Sequence, residues 1–193
     1  FDLFPHFHLR AGQPVWKPEN YSKKFYGLMT LRQGIEKSRN LMTVRLAQDI
    51  GMDKVAEYAK KMGVNDNLPE FLSMSLGAGE TKLINMAAAY SIMVNGGKRV
   101  LPYLIERIQD RKGRTVYRHD SRECPDCSVS QWEDQNPPQL LDNREQIIDP
   151  LSAYQIVSIL EGAVQYGTGG RLRSIGKHLA GKTGTSNDTK DAW

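Results

Sequence analysis

Two short polar motifs, far apart along the chain, contain the residue types that acyl transfer through a serine requires. Ser38-Arg39-Asn40 offers a hydroxyl and an amide on a predicted helix, and Lys182-Thr183-Gly184-Thr185 offers an ammonium group and two hydroxyls on a predicted strand. Each motif alone is also compatible with a polar helix face or an ordinary strand end. Together and in this order, they are typical of the second and third motifs of serine acyl transferases, which also contain Ser-x-x-Lys.

A phosphate-binding pattern overlaps the second motif, because residues 176–183 match G-x-x-x-x-G-K-T. That loop requires a buried strand before it and a helix beginning at its Lys-Thr, so that backbone N–H groups face the phosphates. Residues 171–174 are too charged for a buried strand, and residues 184–189 are poor helix formers. We therefore do not expect nucleotide binding.

A Ser-x-x-Lys spacing occurs at Ser174 and Lys177. On a helix, this spacing would place a serine hydroxyl beside a lysine amine that could act as its base. Glycines at 169, 170 and 176 disfavour a helix here, so we interpret the spacing as coincidence.

The two cysteines, Cys124 and Cys127, lie three positions apart in a polar segment. They are compatible with a local structural disulfide or with two unpaired thiols. A thioredoxin-like redox motif would open a helix after a buried strand, which the neighbouring residues do not favour. A structural zinc site needs four ligands, and His119 raises the number here only to three.

The composition favours a folded domain and gives no sign of a nucleic-acid partner. The 193 residues are 39% hydrophobic and 25% charged, and the net charge is only +4, with basic residues well mixed among acidic ones. No apolar run approaches the roughly 20 residues of a membrane helix. Residues 1–10 lack the ordered zones of a signal peptide.

The pattern of apolar residues predicts helices, then a hairpin, then another helix and a short strand. A capping box at Thr30 and Gln33 predicts a helix that continues to Gly51, with Ile35, Met42, Leu46 and Ile50 on its inner face. The remaining elements are predicted as helices at 54–62, 81–94 and 150–166, strands at 99–109, 114–117 and 178–185, and a long loop or insertion at 118–145. This order predicts an α+β fold.

Several stretches beyond the two motifs resemble class A penicillin-binding proteins, and the resemblance runs from residue 12 to residue 193, leaving residues 1–11 unplaced. The stretches are Tyr26-Gly27 to Leu31-Arg32, Ser38-Arg39-Asn40 with Val44-Arg45-Leu46-Ala47, Ser75-Leu76-Gly77-Ala78-Gly79-Glu80, Ala89-Tyr90 with Asn95-Gly96-Gly97, Glu161-Gly162-Ala163-Val164 with Gly167-Thr168-Gly169, and Ala180-Gly181-Lys182-Thr183-Gly184-Thr185-Ser186.

The resemblance implies the serine β-lactamase/D,D-transpeptidase fold, a five-stranded antiparallel sheet flanked by helices, here as one partial domain incomplete at both ends. It implies a D,D-transpeptidase that cross-links D-Ala-D-Ala stem peptides of peptidoglycan by serine acyl transfer and that β-lactams acylate. It implies no cofactor. The implied partners are the stem peptide, β-lactams, the missing N-terminal part of the domain and a glycosyltransferase domain. The implied location is the periplasmic face of the bacterial inner membrane, reached through an anchor outside this chain, where an oxidising environment favours a Cys124–Cys127 disulfide.

The resemblance also implies a role for each motif residue. Ser38 resembles the serine that relays a proton to the leaving nitrogen. Asn40 resembles the amide that binds the substrate's carbonyl, and Lys182 the cation that orients Ser38. The hydroxyls of Thr183 and Thr185 resemble the donors to the substrate's carboxylate. The Thr185 N–H resembles half of the oxyanion hole, and Gly184 lets the substrate backbone lie close to the strand.

The chain departs from the family pattern at the nucleophile. No Ser-x-x-Lys precedes Ser38, because Ser22 is followed by Lys23, Lys24 and Phe25. We therefore expect the isolated chain to be catalytically inactive. An alternative interpretation is a non-catalytic relative that binds peptidoglycan peptides.

Overall fold

The computed structural model describes residues 16–122, 124, 127, 131, 133–138 and 140–184. The chain divides into two units. One contains the residues up to Val100 together with those from Gln146 onward, and the other is Leu101–Glu145.

The first unit is built from α-helices. They are α1 (Leu31–Glu36), α2 (Asn40–Ile50), α3 (Met52–Lys61), α4 (Leu83–Val94) and α5 (Pro150–Gln165), with short 3-10 helices at Leu72–Leu76 and Gly170–Ile175. α1 and α4 both pack against α5, and α2 packs against α3 and the first 3-10 helix. The core is made by small and branched side chains of α2, α4 and α5, of which Val44 and Ile92 are the largest that are fully buried.

Local capping explains where several helices begin. The predicted capping box of α1 is confirmed, since the Thr30 side chain accepts from the Gln33 N–H and the Gln33 side chain accepts from the Thr30 N–H. α5 begins at Pro150 as predicted, and the Asp149 carboxylate accepts from the Ser152 N–H. α2 has no side-chain cap of its own. The buried side chain of Asn20 accepts instead from the Leu41 N–H.

The prediction of one helix from 30 to 51 is wrong, because α1 and α2 are separated by a turn at residues 37–39. The predicted inner face is also wrong: only Met42 of its four residues is buried, and Leu46 and Ile50 are exposed. Since the turn rotates α2 relative to α1, a single helical periodicity does not describe both.

The second unit contains a two-stranded antiparallel hairpin of β1 (Arg107–Gln109) and β2 (Thr115–Arg118). The Asp110 carboxylate caps its turn by accepting from the N–H groups of Lys112 and Arg114. β1 is shorter than the predicted strand from 99, and Pro102 lacks the N–H that a strand pairing needs. Cys124 and Cys127 are joined by a disulfide.

Within the described residues, this hairpin is the whole sheet, whereas the resemblance implies five strands. The predicted strand at 178–185 is not formed over residues 178–184. Those residues lie beside α5, where the Gly181 N–H donates to the Leu160 carbonyl at 3.2 Å, and no neighbouring strand pairs with them in the part of the chain described.

Candidate acyl-transfer site

Ser38 lies on the tight turn between α1 and α2. The turn closes through the N–H of Ser38, which donates to the Ile35 carbonyl at 3.0 Å, and the N–H of Arg39, which donates to the Gly34 carbonyl at 2.8 Å. The backbone of Ser38 has a φ of 52°, in the left-handed region that side chains rarely occupy. This conformation takes Ser38 off the helix surface on which the sequence predicted it.

The Lys182 ammonium group meets the Ser38 hydroxyl across 144 positions of sequence. Lys182 Nζ donates to Ser38 Oγ at 2.6 Å and to the Thr183 carbonyl at 2.8 Å. The Lys182 side chain is partly buried, and this burial lowers its pKa below the usual 10.5 because water solvates the charged amine better than the protein interior does. The pair places a hydroxyl and a partly desolvated amine in direct contact, an arrangement suited to proton transfer.

Thr183 and Gly184 continue from Lys182 along an exposed edge. Thr183 Oγ1 forms a hydrogen bond with Thr168 Oγ1 at 2.6 Å. A side chain built on Gly184 would meet nothing within 4 Å among the residues that the structure describes, so the described part of the edge is open on that side. Thr185 lies outside the described residues.

Asn40, at the first position of α2, has a different partner from Ser38. Its side-chain amide donates to the Glu19 carbonyl at 2.9 Å. Of the hydrogen bonds that the structure describes for Ser38 and Lys182, none involves Asn40. The structure therefore brings Ser38 and Lys182 together, while the Asn40 amide holds the preceding segment.

The competing Ser174 and Lys177 spacing does not lie on one α-helix. The Ser174 hydroxyl donates to the Arg171 carbonyl within a 3-10 helix that ends at Ile175, and Gly176 follows with a φ of 67°.

Among the residues that the structure describes, no group of three His, Cys, Asp or Glu side chains is arranged to hold a metal ion.

Two residues that shape the site were not identified from the sequence. Glu36 is only 6% exposed and forms an ion pair with Arg32 at 3.6 Å, while its carbonyl accepts from the Thr168 N–H at 3.2 Å. Thr168 lies in a Gly-Thr-Gly segment that the sequence marked only as the end of a helix and as part of the resemblance. Their roles depend on contacts between distant segments, which spacing does not reveal.

Comparison with known proteins assigns the family. The family described as "Penicillin binding protein transpeptidase domain" matches residues 4–192. The chain belongs to the penicillin-binding protein transpeptidase family.

Individual members of the family are similar to this chain in sequence and in structure. The chain is 46% identical over 184 residues to penicillin-binding protein 1A of Rickettsia bellii, covering 94% of this chain and 23% of the relative. It is 36% identical over 181 residues to penicillin-binding protein 1A of Neisseria meningitidis, and this match covers 93% of this chain and 21% of the relative. The crystal structure of penicillin-binding protein 1A from Haemophilus influenzae superposes with a TM-score of 0.81 at 30% sequence identity. The superposition covers 95% of this chain and 30% of the Haemophilus influenzae chain.

These matches confirm the predicted α+β penicillin-binding fold and a partial match to the transpeptidase domain of penicillin-binding protein 1A. The chain spans about a quarter of the length of the curated relatives. Within the residues that the structure describes, no helix has the length and apolar character needed to cross a bilayer.

Proposed function

We propose that this chain forms one wall of a serine acyl-transfer site that cross-links D-Ala-D-Ala stem peptides of peptidoglycan and binds β-lactams. The hydrogen bond from Lys182 Nζ to Ser38 Oγ, at 2.6 Å, is the observation that carries the proposal. Membership of the penicillin-binding protein transpeptidase family supports it.

Ser38 is the proton relay of the proposed site. When the bond to the terminal D-Ala breaks, the leaving nitrogen needs a proton, and a hydroxyl can donate its own while it accepts another. The contact with Lys182 holds the Ser38 hydroxyl in place and supplies a proton donor behind it. The lowered pKa of Lys182 makes that proton easier to release than the proton of a fully solvated lysine.

Lys182, Thr183 and Thr185 bind the carboxylate of the substrate in this proposal. A lysine ammonium and neighbouring hydroxyls are suited to a carboxylate because charge-assisted hydrogen bonds are the stronger ones. The open edge at Gly184 leaves space for the substrate backbone beside the chain. Asn40, whose amide donates to the Glu19 carbonyl, would have to exchange that partner to bind the substrate carbonyl.

The attacking serine must come from outside this sequence, since no Ser-x-x-Lys precedes Ser38. We therefore propose that the isolated chain is not acylated and that the longer protein containing it is. The proposed location is the periplasmic side of the inner membrane, where the Cys124–Cys127 disulfide would be stable. The other proposed partner is a glycosyltransferase domain of the same protein.

Covalent labelling with a fluorescent penicillin tests the proposal. We expect no labelling of the isolated chain, labelling of the full-length natural protein, and a rate lowered by roughly 10²-fold or more in full-length Ser38→Ala. Ser174→Ala is the matched control and should label at the wild-type rate.

Two results would count against the proposal. Labelling of the isolated chain would show that the nucleophile lies within it. A full-length protein that binds D-Ala-D-Ala peptides reversibly but never labels would favour the non-catalytic peptide-binding alternative.

A further inference from the structure

Three segments that are distant in the sequence form a closed ring of hydrogen bonds at the proposed site. Lys182 Nζ donates to Ser38 Oγ at 2.6 Å, and the adjacent Thr183 Oγ1 bonds to Thr168 Oγ1, also at 2.6 Å. The Thr168 N–H then donates to the carbonyl of Glu36, two residues before Ser38, at 3.2 Å. Thr168 therefore contacts both segments that carry the proposed proton relay.

The segment containing Thr168 is itself held in place on both sides. The Lys37 ammonium group donates to the Tyr166 carbonyl, which gives the turn of Ser38 a second link to this segment. Gly167 approaches the backbone so closely that an added side chain would collide with the Glu36 carbonyl and lie 2.7 Å from the Ala163 carbonyl. Thr168 is thus fixed relative to α1 and α5 before it meets Thr183.

We propose that Thr168 is a positioning residue, which orients the Thr183 hydroxyl toward the substrate carboxylate and keeps the Lys182 amine against Ser38. This inference rests on the proposed function. No assigned motif of the acyl-transfer site includes Thr168, and it reaches the substrate only through Thr183.

The chemistry of two paired hydroxyls explains how Thr168 acts. Each threonine hydroxyl has one hydrogen to donate and lone pairs to accept. When Thr168 donates to Thr183 Oγ1, the Thr183 hydrogen is left to point away from Thr168 and donate to a carboxylate. A hydrogen bond accepted by a hydroxyl also polarises it and strengthens the bond that it donates.

The geometry also separates this role from a role in folding. Thr168 and Thr183 are both exposed in this chain, and an exposed hydrogen bond between neutral groups contributes little to stability because water replaces it. Removing the Thr168 hydroxyl should therefore change the site and leave the fold almost unaffected.

The test measures the second-order rate of acylation by a fluorescent penicillin in the full-length protein. Thr168→Val, which keeps the shape and removes the hydroxyl, should lower the rate roughly threefold to tenfold, as expected for the loss of one neutral hydrogen bond. Thr168→Ser should remain within about twofold of wild type. Thr115→Val, the same substitution on strand β2 of the second unit, is the matched control and should have no effect.

A double-mutant comparison tests whether Thr168 acts through Thr183. If it does, Thr168→Val should have little further effect in a Thr183→Val background.

The pH profile of acylation in Thr168→Val should also differ from that of the wild type, because a Lys182 amine freed from Ser38 becomes better solvated. Its pKa then rises toward 10.5, and the basic limb of the rate moves to higher pH. A residue that acts only on folding would move neither readout.

The outcomes distinguish this inference from the proposed function. If wild type is acylated and Thr168→Val reacts at the same rate, or Thr168→Ser is as slow as Thr168→Val, the positioning role is wrong and the proposed function stands. If wild type is never acylated, the proposed function fails first. Should Thr168→Val fold poorly, Thr168→Ala provides a second hydroxyl deletion, and the rate is taken only from molecules that label.

Discussion

Ser38 adopts a backbone conformation that disfavours any residue with a side chain. Its φ of 52° brings the Cβ close to the neighbouring carbonyl, at a cost of about 1–2 kcal/mol relative to an ordinary conformation. The cost is offset by the surrounding structure, which fixes the turn through hydrogen bonds on both sides. Strain held in this way is frequent where a side chain must point in one direction for function.

A glycine at position 38 should therefore stabilise the chain relative to an alanine. We expect Ser38→Gly to be more stable than Ser38→Ala by about 1 kcal/mol, since glycine adopts positive φ without penalty. Both variants lack the hydroxyl, so its loss cancels in the comparison. Urea unfolding curves with equal slopes measure the difference.

Ser91 in the interior of α4 is the matched control for this backbone effect. Its φ is helical, so Ser91→Gly should be less stable than Ser91→Ala by about 1 kcal/mol, the opposite sign. If glycine and alanine differ at position 38 as they do at position 91, then Ser38 lies on a helix and the turn described above is wrong.

At the level of elements, the sequence predicts where individual helices begin better than it predicts how distant segments contact each other. The capping box of α1 and the start of α5 at Pro150 depend on residues within one turn, and both were predicted. The break between α1 and α2 was missed, because Arg39 donates to the Gly34 carbonyl in a local pattern that apolar periodicity does not encode. The contact of Ser38 with Lys182 could be inferred only through the resemblance, since nothing local links positions so far apart.

The contact between α1, α5 and the segment after α5 depends on Gly167. An alanine there would bring its Cβ against the Glu36 carbonyl and to 2.7 Å from the Ala163 carbonyl, and backbone atoms within helices do not move easily. We expect Gly167→Ala to lower the free energy of unfolding by about 1–3 kcal/mol, measured by urea unfolding.

Gly181→Ala is the control for Gly167→Ala, because a side chain at position 181 would meet nothing within 4 Å in the described part of the chain. It should change stability by less than about 0.5 kcal/mol, as open-surface substitutions usually do. Equal effects at the two positions would mean that α1 does not approach α5 as closely as the structure shows.

At the level of the whole molecule, the helical unit leaves much apolar surface uncovered. Leu151 and Tyr154 near the start of α5 are each 74% exposed, and Leu83 and Ile84 of α4 are exposed as well. The chain spans about a quarter of the length of its curated relatives. In a protein of that length, other segments are available to cover these apolar surfaces. In the isolated chain, they face water.

The isolated chain should therefore self-associate through these faces, because contiguous exposed apolar surface favours contact with another copy. Leu151 and Tyr154 are three positions apart and so lie on one side of α5.

We expect sedimentation and size-exclusion behaviour that depends on concentration, and a clear reduction of association in the double variant Leu151→Lys and Tyr154→Lys. Gln165→Lys adds a positive charge at the opposite end of the same helix without removing apolar surface, so it separates the effect of charge from the loss of the apolar face and should associate almost as wild type does. A sharply melting monomer at all concentrations would show that these faces are too dispersed to act as a patch, and association unchanged in the double variant would place the contact elsewhere on the chain.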